Sequence, residues 1–198
     1  NLIGLRYDFS PVEIIIKNGV EFNKIDLGIM AIEESFDKIL IENNKRREGV
    51  IIAFDEGPSW KEREQYMRFK LSGIKADAEI QQFYKDNSPI KVFNKNKVLS
   101  DKKLAKQFSI AKDLLDGLRK GKYTISEVFD VDKLSSFVAI SNVFGCHHGL
   151  TWGNIRIYYN PITNKLEPIS FDAGSGKYLK SLVQYPFSED DKEFQKLL

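Results

Sequence analysis

Asn154 and Asp172 stand eighteen positions apart at the two ends of a segment that reads as a β-hairpin, and both carry side-chain oxygen. Asn154-Ile155-Arg156-Ile157-Tyr158-Tyr159 alternates as a strand, Asn160-Pro161-Ile162-Thr163-Asn164 has the composition of a turn, and Lys165-Leu166-Glu167-Pro168-Ile169-Ser170-Phe171 returns. Antiparallel pairing brings the outer ends of such a hairpin together, because opposed residues lie about 5 Å apart. An amide oxygen and a carboxylate at that separation are hard ligands suited to Mg²⁺ or Mn²⁺, with phosphate oxygens and waters completing the shell. The loop ahead of Asn154 holds His147 and His148 among three glycines. Adjacent side chains diverge, so one imidazole is packed and the other, taken as His148, faces the cleft. Gly174 and Gly176 after Asp172 allow a sharp turn and the close approach of a ligand.

The elements that position these residues follow from periodicity. Val12 to Lys17 is β-branched, Asn18-Gly19 suits a tight turn, and Val20-Glu21-Phe22 returns, so a hairpin is predicted. Leu27 to Ile32 reads as a third strand, Glu33 to Asn44 as a short helix, and Val50 to Phe54 as a strand returning to the sheet. Residues 1 to about 56 therefore form a small β-rich lobe, with Gly57-Pro58-Ser59 as a boundary and Trp60 to Leu71 as a surface helix. Residues 57 to 198 are mainly helical. Leu104, Phe108, Ala111, Leu115 and Leu118 mark an amphipathic helix over Asp101 to Arg119, ended by Gly121. Thr124 and Glu127 match a capping box, and the apolar stretch Val131 to Phe144 is a buried helix that delivers the chain to the histidine loop.

Composition bounds the partners. A chain of 198 residues with 42% hydrophobic and 29% charged residues can bury a sizeable core. Thirty basic against 28 acidic residues leave a net charge of +2, which provides no field to select nucleic acid. No apolar run reaches the roughly 18 residues needed to span a bilayer. Cys146 is alone, so no internal disulfide forms, and its thiol reads as a small buried hydrophobe. The chain opens without Met and closes on the amphipathic stretch Glu193 to Leu198, which reads as a piece of a longer protein.

Three stretches carry a family resemblance: Gly28 to Glu34, Arg46 to Ile52, and Asn154 to Pro161 continuing through Leu166 to Asp172. Together they resemble the spore-coat protein H (CotH) kinase-like family over roughly residues 1 to 175. The resemblance implies an α+β, two-lobed, atypical protein-kinase-like domain with a β-rich N-terminal lobe and a mainly helical C-terminal lobe. It implies ATP with Mg²⁺ or Mn²⁺ as cofactors and a protein substrate phosphorylated on Ser or Thr. It also suggests an extracellular, cell-surface or coat location. Asp172 matches the metal-binding Asp and Asn154 the metal-binding Asn of the catalytic loop.

Two departures point to an alternative. On the kinase pattern, Gly149 falls where the catalytic Asp belongs, so His148 takes the base role or transfer is poor. Ala53 stands where a phosphate-holding Lys would be expected, which leaves Lys38, Arg46 and Arg47 as the candidate cations, with Glu33 or Glu34 as an ion-pair partner. A catalytically impaired pseudokinase serving as a nucleotide-binding or structural module is the competing expectation. A metal-dependent hydrolase using His147, His148 and Asp172 is a further one. The plainer readings are that Asp172 forms a turn, Asn154 starts an Asx turn, Lys45-Arg46-Arg47 is a solvated run, and Trp152, Tyr158 and Tyr159 are packing residues.

Overall fold

In the computed structural model, which describes residues 1–18, 21–68, 83 and 87–174, the chain is mixed α+β. It runs β1 (Ile3–Gly4), β2 (Tyr7–Asn18), β3 (Glu21–Glu33), α1 (Lys38–Asn43), β4 (Ile51–Phe54) and α2 (Gly57–Arg68). There follow β5 (Ile90–Val92), α3 (Lys95–Ser100), α4 (Lys102–Arg119), α5 (Ile125–Val128), α6 (Val131–Phe144), a 3-10 turn (His147–Leu150), β6 (Arg156–Asn160) and β7 (Lys165–Ser170). Gly19, Phe69 to Leu71, Gly176 and the Glu193 to Leu198 stretch lie outside the described residues.

Five strands form one sheet in the order β1-β7-β6-β4-β5, with β1 parallel to β7 and the other neighbours antiparallel. Strands from both sides of residue 56 therefore share this sheet, and β4, expected to close an N-terminal sheet, lies between β6 and β5. Alternation along β6 explains why it reads as nearly continuous apolar sequence. Ile157 and Tyr159 join Ile52, Leu166 and the buried faces of α4 and α6, whereas Tyr158 joins Ile3, Leu40, Ile41, Ile51 and Ile169 on the opposite face. Both faces are covered, and burying each such side chain contributes about 1.5–3 kcal/mol.

The helices start where side-chain caps appear. Asp101 accepts from Lys103 and Leu104 N–H groups at the head of α4, and Gly121, at φ 72°, follows its end. Thr124 and Glu127 form the expected capping box. Asp130 caps α6, and Gly145 ends it in the left-handed conformation. The helix expected over residues 33–44 is shorter. Asp37 caps it through the N–H groups of Ile39 and Leu40, and Glu33 belongs to the preceding strand.

The predicted first and third strands prove to be arms of one long ribbon. β2 pairs with β3 from Asn18 opposite Glu21 to Tyr7 opposite Glu33, interrupted by a bulge near Leu27-Gly28 where Gly28 takes φ 70°. The ribbon is a sheet of its own.

Candidate functional site

The register of β6 and β7 sets Arg156 opposite Ile169, so Asn154 and Phe171-Asp172 emerge from the same end of the hairpin. Asn154 is 9% exposed and donates Nδ2 to the main-chain carbonyls of Asp172 at 3.1 Å and His148 at 3.4 Å. Both partners can only accept, which fixes the amide orientation. Its Oδ1 accepts no hydrogen bond from the described residues and is left for another partner. Asp172 has φ 39°, a left-handed conformation that carboxamide and carboxylate residues tolerate better than others.

His148 Nε2 lies 3.2 Å from Asp172 Oδ2, with both side chains more than half exposed. The 3-10 turn aims it there, and Thr151 Oγ1 donates to the His148 carbonyl at 2.8 Å. His147 is half-buried, so the two imidazoles separate as expected. Gly149 is buried, and a Cβ there would come 3.0 Å from the Phe171 carbonyl, so the loop and the strand end approach to a distance that glycine permits.

Residue types and spacing do not announce the residues around this cluster. The Arg156 guanidinium sits 4.8 Å from the Phe171 ring centre, 5.8 Å from Phe93 and 5.9 Å from Phe36, and donates Nη1 to the Gly153 carbonyl at 2.9 Å. Burial lowers its pKa, and the charges of Glu56, Asp172 and Glu33 oppose that. The Glu56 carboxylate fills the space that a side chain at position 153 would need. Tyr7, at the foot of the ribbon, has its phenol pKa raised by burial first and by Glu33 second, with Asp172 adding to it. Beside it an open cleft of about 500 Å³ is lined by Arg6, Tyr7, Asp8, Ile32, Glu33 and Glu34, among others.

Three of the four expected phosphate-site residues have side chains committed elsewhere, and the fourth, Arg47, points none of its described bonds at Asp172. Arg46 donates Nε to Glu167 at 2.9 Å and Nη2 to the Asn1 carbonyl at 2.7 Å, closing a half-buried ion pair with no bond to Asp172. Arg47 is exposed, and its carbonyl accepts from the Tyr158 hydroxyl at 2.6 Å. Lys38 is exposed between Glu42 at 3.5 Å and Glu48 at 3.7 Å. Glu34 pairs with Arg6 at 2.8 Å and accepts from Asn43 at 2.6 Å; burial alone would raise its pKa, but these bonds hold it below the usual carboxylate range. For Arg46, Lys38 and Glu34 a nearer partner of opposite charge competes with a ligand.

Chemically, the cluster offers one amide oxygen and one carboxylate. This is a set that fits Mg²⁺ or Mn²⁺ only when the ligand and water supply the remaining oxygens. Among the described residues no three His, Cys, Asp or Glu side chains come close enough to hold a metal, so the hydrolase reading through His147, His148 and Asp172 finds no ligand set. No described helix is long and apolar enough to cross a membrane. Comparison of the chain with protein-family models, with curated proteins and with solved structures returned no match.

Proposed function

We propose that this chain is an atypical kinase-like domain of the spore-coat protein H kind, which binds ATP through a divalent cation at Asn154 and Asp172 and transfers phosphate to a protein Ser or Thr. In this reading the ribbon and α1 stand for the smaller lobe, and the helices with the β6–β7 hairpin for the larger. One observation carries it: two residues eighteen positions apart, both with side-chain oxygen, meet at one end of the hairpin, where Asn154 Nδ2 donates to the main-chain carbonyl of Asp172. The bound cation would neutralise charge on the β- and γ-phosphates.

The chain's own residues supply orientation and proton handling. Asn154, held by its Nδ2 on the Asp172 and His148 carbonyls, keeps Oδ1 for the cation, and Asp172 would add its carboxylate. With Nε2–H directed at Asp172 Oδ2, His148 in its neutral form keeps Nδ1 as a proton acceptor, which serves an acceptor hydroxyl in place of the carboxylate that Gly149 lacks. Arg156, whose charge acts on Asp172, supplies the positive potential that the buried Ala53 does not.

The pseudokinase reading has its own support in the closed space at Gly149 and the absence of a cation at Ala53. One experiment separates the two. The chain is melted with ATP and Mn²⁺, alone and as Asp172→Ala, and then incubated with γ-labelled ATP and a mixed protein acceptor. A hundredfold excess of ligand over Kd stabilises by about 2.7 kcal/mol. Stabilisation lost in Asp172→Ala together with label transfer supports the kinase; stabilisation without transfer supports the pseudokinase; no stabilisation in either protein sinks both.

A further inference from the structure

Between Lys133 and Arg156 the chain carries no Asp, Glu, Lys or Arg, although 29% of its residues are charged. The first half of that stretch lies in α6, whose Leu134, Phe137, Val138 and Ser141 are buried on one side. A helix with one face in a core ordinarily turns charged residues to water on the other, and a helix that is apolar all round belongs in an interior. The outer face of α6 bears Ser136, Ala139, Ile140 and Val143 at spacings of three and four, with Phe144 at its flank. Ile140, Val143 and Phe144 are 48%, 58% and 63% exposed. The helix that its sequence marks as buried is therefore covered on one side only among the described residues.

We infer that the uncovered face of α6 is the seat of the chain's own continuation, residues 175–198, with the stretch Tyr178 to Phe187 supplying the apolar contact. The place where the described residues end favours this. Gly174 lies against His148, where an added Cβ would come 3.2 Å from the His148 Cβ, and His148 follows closely on the end of α6. Ser136 to Val143 extends only about 10 Å along the helix, whereas ten residues of chain reach about 30 Å. The chemistry favours it too. Tyr178, Leu179, Leu182, Val183, Tyr185 and Phe187 fall close together with Lys180 as the one charge among them, so apolar chain meets an uncharged face. Tethering selects this occupant over a second copy. A segment joined by a few residues is held near the face at a roughly millimolar effective concentration, about a thousandfold above a free copy at micromolar concentration. A lipid surface would meet no Lys or Arg on this helix beyond Lys133. The inference is independent of the kinase reading, since it uses neither cation nor nucleotide.

The test places a photoreactive benzoylphenylalanine at Ile140 of the whole 198-residue chain and, as a control, at Ile162, which is 66% exposed in the turn between β6 and β7. Each protein is irradiated as an equal mixture of unlabelled and heavy-nitrogen-labelled chains, and the adducts are read by mass spectrometry. Position 140 should join a peptide from residues 175–198 of its own chain, and position 162 should not. Adducts that mix the two labels put a second copy on the face and overturn the inference. So do an absence of adduct with residues 175–198 and an equal yield from position 162. A second measurement needs no crosslinker. Trypsin cuts after Lys177 and Lys180, and Ile140→Glu with Val143→Glu should speed those cuts about tenfold while cuts within α4 keep their rate. Charges on a helix face open to water would change neither, so equal rates in variant and wild type overturn the inference as well. Capture of the wild-type chain by phosphatidylcholine vesicles, lost in the double variant, would assign the face to lipid and have the same effect.

Discussion

The side-chain nitrogen of Asn154 and the main-chain oxygen of Asp172 lie 3.1 Å apart, which locks the open end of the β6–β7 hairpin by a bond outside the strand ladder. The lock holds a non-glycine residue at φ 39°, where an L-residue pays roughly 1–2 kcal/mol. Asn154→Ala removes two bonds from a nearly buried position and should lower stability by about 1–3 kcal/mol. Calorimetry should record a Tm drop of about 2–4 °C per kcal/mol. A melting curve superimposable on wild type would mean that the hairpin end needs no lock.

Placing at position 149 the acid that the kinase reading calls for should fail. A Cβ there meets the Phe171 carbonyl at 3.0 Å and the Ala173 Cα at 3.6 Å, both backbone atoms that cannot swing aside. Gly149→Asp adds a carboxylate against a carbonyl oxygen, so we expect about 1–3 kcal/mol of destabilisation and no gain in phosphate transfer. Increased transfer with unchanged stability would show that the loop has room.

Arg46 should matter for stability and leave ligand binding alone. Its partner Glu167 is 3% exposed in its side chain and otherwise accepts from Asn160 at 2.7 Å. Arg46→Met strands that carboxylate at a cost of about 3–5 kcal/mol, and adding Glu167→Met should return most of it. Urea titrations of the single and double variants measure this, and nucleotide-induced stabilisation should persist wherever the fold does. Recovery in the double variant together with loss of nucleotide binding would return Arg46 to the site.

Tyr158 should shape the alkaline limit of stability. Burial first, and Glu167 second, raise its pKa far above the ordinary 10.0. The folded state thus keeps a proton that the unfolded state gives up. The stabilisation is complete below pH 10 and drains away as pH climbs toward the folded value. Tyr158→Phe should lose the bond to the Arg47 carbonyl and flatten this alkaline slope. Phenolate absorbance during unfolding checks it: ionisation of Tyr158 in the intact fold at pH 10 would contradict the assignment.

What the sequence made legible was local. Asp101 before α4, the Thr124–Glu127 box and the turn through Asn164 are short-range chemistry, and each appears where its residues predicted. That Asn154 and Asp172 lie at the same end of one hairpin was also legible, but the bond that joins them runs from the Asn154 side chain to the Asp172 main chain, which spacing alone did not foretell. Partners remote in sequence were not. Arg46 looked free because Glu167 is 121 residues away, and Glu56 could not be seen to lie over Gly153. The break expected between Phe22 and Leu27 reflects Asn23, Lys24 and Asp26, polar residues that the ribbon accommodates on exposed positions. Strand neighbours in the main sheet were equally hidden, since β4 chooses β6 across a hundred residues of intervening chain.

That last pairing has a consequence for biogenesis. During synthesis β1 and β4 leave the ribosome long before β7 and β6, so their apolar surfaces must wait uncovered until nearly all of the described chain has emerged. A nascent chain stalled before Arg156 should therefore be a client for chaperones and readily cleaved by protease, and one released after Ser170 should resist both.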